Sequence, residues 1–223
     1  TEPSKTYPVY SNGTAIYYNP ETNEKCKESE AVSTTGTKTG CMKWYTFNDE
    51  GENSSTVNMI LDHNTTVAVV YNSTGNSTEM KEVAIYLMAD TYTWNRSLKV
   101  RLITANEIAK ITGNTSFSAA DSKGSRWFYL DSNSHTQVAT SQVKSKYAWL
   151  FDYTSNCTSY GCNVADSTGY YSVQYWTNSA VADLDSHVWI VSGKGYLHYD
   201  SVNNAPSRNG IRPVITISKD IIQ

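Results

Sequence analysis

The C-terminal third of this chain constrains its fold more than any other part of the sequence. Between Tyr147 and Lys219, tyrosine and tryptophan recur among asparagine, serine and aspartate, and the segment closes with Asn-Gly-Ile-Arg-Pro-Val at residues 209–214. Aromatic residues are favoured in β-strands, and no helical period of apolar residues continues beyond Asn114. The second half of the chain is therefore predicted to be an aromatic β region joined by long polar loops.

Short strands are predicted wherever apolar and polar residues alternate with a period of two. Two of these strands flank the turn-rich segment around Gly51, and they are predicted to pair as a hairpin. The predicted strands lie within residues 1–20 and at residues 42–48, 56–62, 66–71, 127–130, 148–153, 187–191, 196–199 and 211–218.

The first of two predicted helices runs from Glu79 to about Thr91. Ser77 or Thr78 can cap its N-terminus, because serine and threonine side chains accept hydrogen bonds from the free N–H groups of the first turn. Helical periodicity places one set of apolar residues on a single face, which is predicted to be buried. The residues on this face are Met80, Val83, Ala84, Leu87 and Met88.

The second predicted helix spans residues 105–111 and has stronger local signals. Thr104 and Glu107 form a capping box at its start, and Gly113 is placed to end it. Ile108 and Ile111 are predicted to face the core. Two early helices followed by a β region make an α+β chain, and residues 1–223 are predicted to form a single domain because no linker or internal repeat divides them.

Four cysteines form two local pairs in the sequence, Cys26 with Cys41 and Cys157 with Cys162. Short loops favour local closure, and disulfides persist in oxidising compartments. Zinc is the alternative, but neither pair has Cys-x-x-Cys spacing and the histidines show no ligand pattern beside them. The sequence therefore predicts two disulfides, no metal site and no cofactor.

Charge and hydropathy exclude several partners. The net charge is −3, and no segment concentrates lysine and arginine as a nucleic-acid-binding surface requires. No apolar run has the 18 or more residues of a membrane span. Charged residues make up 17% of the chain, below the roughly 25% of ordinary globular domains, and serine, threonine, asparagine and tyrosine replace them. This composition favours an extracellular or cell-surface protein whose export signal or anchor lies outside these residues.

Short motifs in the late strands carry a family resemblance. They read Tyr-Trp-Thr-Asn-Ser at 175–179, Val-Trp-Ile-Val at 188–191, Gly-Tyr-Leu at 195–197 and Gly-Ile-Arg-Pro-Val at 210–214. The pattern resembles a large bacterial family of C-type-lectin-like domains, which includes formylglycine-generating enzymes and the variable proteins of diversity-generating retroelements. The resemblance covers about residues 98–219 well and residues 1–97 only weakly.

This resemblance implies a C-type-lectin-like fold and a ligand-binding function. Residues 1–97 would supply N-terminal strands and the first helix, and residues 98–223 the lectin-like core with a ligand face at about 170–209. In retroelement-linked members, adenine mutagenesis of asparagine-type codons diversifies this face. The Asn, Ser, Tyr, Asp and His content of residues 170–209 is similar to what such mutagenesis leaves behind. The implied partner is an extracellular protein or glycan, bound by an adhesin or receptor-binding type of protein.

Candidate ligand-binding residues follow from alternation along residues 196–200. A period of two turns Leu197 and Tyr199 toward the core and Tyr196, His198 and Asp200 outward. Trp176 and Arg212 are predicted to be structural, since an arginine inside an apolar strand requires an acid or carbonyl groups as partners. The residues predicted to form the ligand face are Tyr170, Tyr171, Gln174, Asp185, His187, Tyr196, His198, Asp200 and Arg208.

Two other functions stay open. An enzyme resembling the formylglycine-generating group would need a reactive cysteine pair near the aromatic C-terminal region, but Cys157 and Cys162 precede Tyr175 and lack that motif. No Gly-x-Ser-x-Gly elbow occurs either, so no catalytic residue is predicted. The Glu-Pro-Asn type of motif that serves calcium-dependent sugar binding is also missing. The remaining alternative is a structural surface or pilus subunit whose aromatic face contacts a neighbouring subunit.

Overall fold

The computed structural model describes residues 3–113, 128–129, 147–151, 174–192, 196–203 and 209–223, with the backbone alone at 128–129, 192 and 196. Within these residues the helices are α1 Glu82–Asp90, α2 Ala105–Thr112 and a terminal turn, α3 Lys219–Ile222. The strands are β1 Ala15–Asn19, β2 Glu24–Lys25, β3 Met42–Phe47, β4 Thr56–Leu61, β5 Val100–Arg101, β6 Phe128–Tyr129, β7 Tyr175–Ala180, β8 His187–Ser192, β9 Tyr196–Ser201 and β10 Val214–Ser218.

The strands form two antiparallel sheets. The first sheet has the order β2-β1-β3-β4-β10-β5 and the second has the order β6-β9-β8-β7. The predicted hairpin is confirmed as β3 and β4, in which Trp44 pairs with Leu61 and Phe47 with Asn58. The chain is therefore an α+β protein built mainly from antiparallel sheets.

Three hydrophobic clusters cover both faces of each sheet. The central cluster lies between the sheets, where Phe47 and Val214 from the first meet Trp189 and Leu197 from the second. Helix α2 inserts its buried face into this cluster. A second cluster covers the outer face of the first sheet, and a third packs α1 against the outer face of the second sheet. Both faces of β7 and β8 are therefore buried, so along these two strands the ends and the connecting turn remain for a ligand.

The Gly-Ile-Arg-Pro-Val motif lies where the two sheets meet. Gly210 donates its N–H to the carbonyl of Gln174 at 2.9 Å and accepts from the N–H of Trp176 at 3.1 Å, while Ile211 donates to the carbonyl of Thr66 at 2.9 Å. A Cβ atom on Gly210 would lie 2.3 Å from the Thr66 carbonyl oxygen, so only glycine fits this close backbone approach. The strand predicted at 211–218 forms a regular strand only from Val214 onward. Gly210 and Ile211 pair instead with Tyr175 and Thr66, and Pro213 has no N–H to donate.

Two other strand predictions are wrong. Residues 66–71 form only one bridge, between Thr66 and Ile211, and the segment otherwise binds backbone groups of several elements. The predicted strand 148–153 is described only to residue 151, and there residues 147–150 form a helical turn, in which Leu150 and Phe151 donate to the carbonyl of Tyr147. Both segments are rich in apolar residues, but their burial comes from contacts with distant elements and does not require a strand.

The two long helices differ in how well the sequence predicted them. For α2 the capping box of Thr104 and Glu107 is confirmed, and Gly113 ends the helix with a φ of 71°. Helix α1 begins at Glu82, later than predicted, and its cap residue makes no side-chain capping bond. The prediction of its buried face was also partly wrong, because Val83 and Leu87 are buried but Met88 is exposed. A short terminal helix, α3, was not predicted.

The Cys26–Cys41 disulfide is confirmed, with 6.0 Å between the Cα atoms, whereas Cys157 and Cys162 lie outside the described residues. The loop that it closes is held to the body of the protein at several points. Gly36 donates to the carbonyl of Asn64 at 2.7 Å, and the Trp94 indole donates to the carbonyl of Lys38 at 2.7 Å.

In the described part of the chain, no helix is long and apolar enough to cross a membrane.

Replacing Cys26 and Cys41 by serine is expected to lower the free energy of unfolding by about 2–4 kcal/mol, because the open chain gains conformational entropy when unfolded. Urea denaturation of the parent and the double variant measures the difference. Non-reducing peptide mapping of native protein should give the Cys26–Cys41 peptide and a Cys157–Cys162 peptide. A crossed peptide such as Cys26–Cys157, or four free thiols, would contradict the pairing and the extracellular prediction together.

Candidate functional site

A groove of about 510 Å³ opens at the end of the second sheet, where β7 turns into β8. We call it the β7–β8 groove. Its walls carry hydroxyl, amide and carboxylate groups beside small apolar side chains. None of the described residues that line it is basic, and two of them are aspartates, which carry negative charge. The lining residues are Ser77, Thr78, Asn106, Ser179, Ala180, Val181, Ala182, Asp183 and Asp185.

The turn between β7 and β8 forms one side of the groove and is closed by backbone hydrogen bonds. Val181 donates to the carbonyl of His187 at 3.0 Å, and His187 donates to that of Leu184 at 2.9 Å. Asp183 has a φ of 65°, a left-handed conformation that aspartate tolerates better than most residues. This compact turn holds the exposed side chains of Asp183 and Asp185 at the rim of the groove.

Helix α2 forms a second side. Asn178 of β7 donates to the carbonyl of Ile103 at 2.9 Å, and the Ser179 hydroxyl oxygen accepts from the N–H of Ala105 at 3.0 Å. The helix start is further fixed by Glu107, whose carboxylate accepts two hydrogen bonds from Arg101 at 2.6 and 2.8 Å. These bonds position the first turn of α2, and with it Asn106, against the end of β7.

The loop before α1 forms the third side. Ser77 is buried and donates its N–H to the carbonyl of Asp185 at 3.0 Å, which fastens this loop to the β7–β8 turn. The Asn76 side-chain oxygen accepts from both the N–H and the hydroxyl of Thr78, at 2.9 and 2.8 Å. The three sides of the groove therefore come from segments between about 30 and 110 residues apart in sequence, and hydrogen bonds hold each one in place.

His187 lies next to the groove at the start of β8. Its ring contacts the edge of Tyr199 with 5.2 Å between centroids, and its Nδ1 atom is 3.1 Å from the Ser186 hydroxyl. Tyr199 also packs edge-on against Trp189, with 6.2 Å between centroids. The half-buried rings of His187 and Tyr199 thus join the groove end of the sheet to the buried Trp189 of the central core.

The predicted ligand residues lie at both ends of the second sheet. Gln174 precedes β7 and Tyr196 begins β9, and the register places both beside the end of β8. Asp185 and His187 lie at the opposite end, next to the β7–β8 groove. A strand of six residues spans roughly 20 Å, so one small ligand cannot contact both groups. Of the predicted residues that the structure describes, Asp185 alone lines the groove, and His187 lies beside it at the start of β8.

His198 and Asp200 do not form an open outward face. In the register, His198 pairs with Ile190 and Asp200 with Val188, and both of these partners are buried in the third cluster. Asp200 is half-buried and accepts a hydrogen bond from the Asn209 amide at 2.8 Å. Alternation correctly separated the two faces of β9, but on the face that was predicted to meet solvent His198 and Asp200 are half-buried beside the buried Ile190 and Val188 of β8.

The other four predicted residues lie wholly or partly outside the described part of the chain. Tyr170, Tyr171 and Arg208 lie outside the described residues, and of Tyr196 the structure describes only the strand position. Their roles stay predictions.

Trp176 and Arg212 are buried at the junction of the sheets. The Trp176 indole donates to the carbonyl of Val69 at 2.8 Å. The Arg212 guanidinium donates to the carbonyls of Leu61 and Trp149, both at 2.5 Å, and to that of Leu150 at 3.2 Å. Sequence reasoning required either an acid or carbonyl groups as partners for this arginine, and the contacts are with carbonyl groups.

Sequence reasoning missed most of the groove. Asp183 and Asp185 were visible as neighbouring carboxylates, but nothing in the local pattern places Ser77 or Asn106 beside them. The family resemblance receives no further support, since no protein-family model, curated protein or solved structure matches this chain. The C-type-lectin-like fold and the function that it implies therefore remain proposals.

Proposed function

We propose that this chain is a secreted or surface-displayed binding protein without catalytic activity, and that the β7–β8 groove receives part of an extracellular protein or glycan. The observation that carries the proposal is the groove itself, with polar side chains presented by three fixed segments. Binding sites are commonly concave and placed on loops that a rigid scaffold positions. The Cys26–Cys41 disulfide supports an oxidising, extracellular location.

The chemistry of the groove favours a ligand that carries several hydrogen-bond donors. Asp183 and Asp185 offer carboxylate oxygens, which accept hydrogen bonds from hydroxyl or ammonium groups. Asn106 and Ser179 can both donate and accept, and the small side chains of residues 180–182 leave room for a ring or an aliphatic face. The proposal agrees with the resemblance to C-type-lectin-like variable proteins, because the β7–β8 turn lies within residues 170–209, where that resemblance places the ligand face.

Replacing Asp183 and Asp185 together by asparagine is expected to reduce ligand capture at least tenfold, because it removes the two charges that receive donors from the ligand. The melting temperature should change little, since both side chains are exposed. Ligand capture is measured by screening cell surfaces, glycan arrays and protein arrays with the intact chain, followed by titration of the variant.

The matched control replaces Glu24 and Glu30 by glutamine, which removes two exposed carboxylates far from the groove in sequence. This control should bind as the parent does. If the groove variant also binds as well as the parent, the ligand contacts another surface. If capture falls equally in both variants, net charge rather than the groove accounts for the binding.

A further inference from the structure

Two carboxylates of the β7–β8 groove carry charge that the described part of the chain does not neutralise. Asp183 and Asp185 lie on either side of Leu184, whose side chain packs against the central cluster, and both aspartates are exposed. Neither carboxylate makes an ion pair or a side-chain hydrogen bond with a described residue, and no described lining residue is basic. The rim of the groove therefore offers two anionic acceptors to a ligand.

A buried serine hydroxyl in the same groove is a separate indication of a ligand. Ser77 is only 3% exposed and lines the groove, and its N–H donates to the carbonyl of Asp185 at 3.0 Å. The Ser77 hydroxyl makes no hydrogen bond with any residue that the structure describes. A buried polar group without a partner costs free energy, and the groove is the open space that this side chain borders. We therefore expect a hydrogen-bonding group of the ligand to meet this hydroxyl.

Small apolar side chains form part of the wall of the groove. Ala180, Val181 and Ala182 line it, and Val181 is buried. Lysine and arginine lay their methylene stems along apolar surface of this kind and keep their charged heads among polar groups. An apolar wall beside two carboxylates is therefore complementary to the stem and the head of such a side chain.

We propose that the β7–β8 groove binds a lysine or arginine side chain of an extracellular protein. Its cationic head donates hydrogen bonds to Asp183, Asp185 and the Ser77 hydroxyl. This inference rests on the proposed function and narrows its ligand from a protein or a glycan to a protein. Hydrogen bonds from a cation to a carboxylate are about twice as strong as those between neutral groups. A neutral glycan would leave both carboxylates without a counter-charge.

Short peptides of defined sequence test the cation on the intact chain. The probe is a capped peptide with one lysine among glycines, titrated into isotope-labelled protein and followed by NMR through the amide shifts of the groove. A single side chain is expected to bind with a Kd on the order of 1 mM. The same peptide with acetylated lysine keeps the stem but loses the charge, and it should bind about tenfold more weakly or less. A peptide with diaminopropionate in place of lysine keeps the charge but shortens the stem, and it should also bind more weakly.

Variants of the chain assign the contacts. Asp183→Asn together with Asp185→Asn should weaken binding of the lysine peptide about tenfold or more. Ser77→Ala should weaken it about threefold without lowering the melting temperature, because the hydroxyl that it removes has no partner among the described residues. The matched control is again Glu24→Gln together with Glu30→Gln, which should bind the lysine peptide as the parent does.

The inference is wrong if the acetylated peptide binds as tightly as the lysine peptide, or if the shifts lie outside the groove. It is also wrong if the aspartate variant keeps the Kd of the parent, or if the glutamate control weakens binding equally. Failure of the proposed function looks different. Glycan capture that the aspartate variant abolishes, with no binding of the lysine peptide, would keep the groove as the ligand site and overturn only the cationic side chain.

Discussion

Replacing Arg212 by alanine is expected to lower the free energy of unfolding by about 3–5 kcal/mol, because it leaves buried carbonyl groups without a donor and opens a cavity. Arg212 is only 3% exposed and donates to the carbonyls of Leu61, Trp149 and Leu150. Its guanidinium also lies 5.2 Å from the centre of the Tyr175 ring. The variant would leave three carbonyl groups from two segments without their donor and a cavity beside an aromatic ring.

Urea and thermal denaturation measure this loss. Arg212→Lys should recover only part of it, because an ammonium group cannot reproduce the planar fork that reaches three carbonyls. The control is Arg96→Ala, an exposed arginine whose loss should cost no more than about 0.5 kcal/mol. An unchanged melting temperature combined with lost ligand capture would instead place Arg212 in the ligand site.

Replacing Asp49 by alanine is expected to cost a similar amount, about 3–5 kcal/mol, because it leaves the Lys219 ammonium buried without its counter-ion. The two side chains are 1% and 0% exposed and form an ion pair of 2.8 Å. Lys219 also donates to the carbonyls of Pro8 and Gly51. Asp49 accepts from the N–H of Tyr10 at 2.8 Å. The pair thus fastens the N-terminal arm and α3 to the turn between β3 and β4.

The same pair makes stability depend on pH. Burial raises the pKa of Asp49, but hydrogen bonds from Lys219, Tyr10 and Gly51 outweigh it, and the pKa lies below the ordinary value of 3.8. A carboxyl group with a lowered pKa stabilises the fold fully above its unfolded value, and this contribution is lost as the pH falls through the folded value. The parent should therefore lose stability below about pH 4.

The test is a comparison with the double variant Asp49→Asn and Lys219→Met, which removes both charges. Removing both partners of a buried ion pair costs less than removing one, so the double variant should be more stable than Asp49→Ala. Its melting temperature should also fall less than that of the parent between pH 5 and pH 2. Equal acid sensitivity in the two proteins would show that other carboxyl groups control the acid transition.

Local patterns predicted the elements whose signals lie close together in sequence. The capping box and Gly113 placed α2, alternation placed β3, β4, β8 and β9, and short spacing paired Cys26 with Cys41. Each of these depends on contacts within a few residues or on one short loop, and such contacts form in much the same way in any surrounding fold. Six of the nine described lining residues of the groove, those at the end of β7 and in the β7–β8 turn, lay in the segment 170–209 that the sequence singled out.

The tertiary structure decided everything that depends on which element covers which face. Alternation divides β9 into two faces, but only the tertiary structure shows that His198 and Asp200 are half-buried and that Asn209, nine residues along the chain, donates a hydrogen bond to Asp200. Helical periodicity likewise cannot tell that Met88 points away from the sheet. Ser77 and Asn106 join the groove, and Lys219 finds Asp49, across separations of about 70 to 170 residues. Such contacts leave no local signal, because the free energy that selects them comes from burying distant segments against one another.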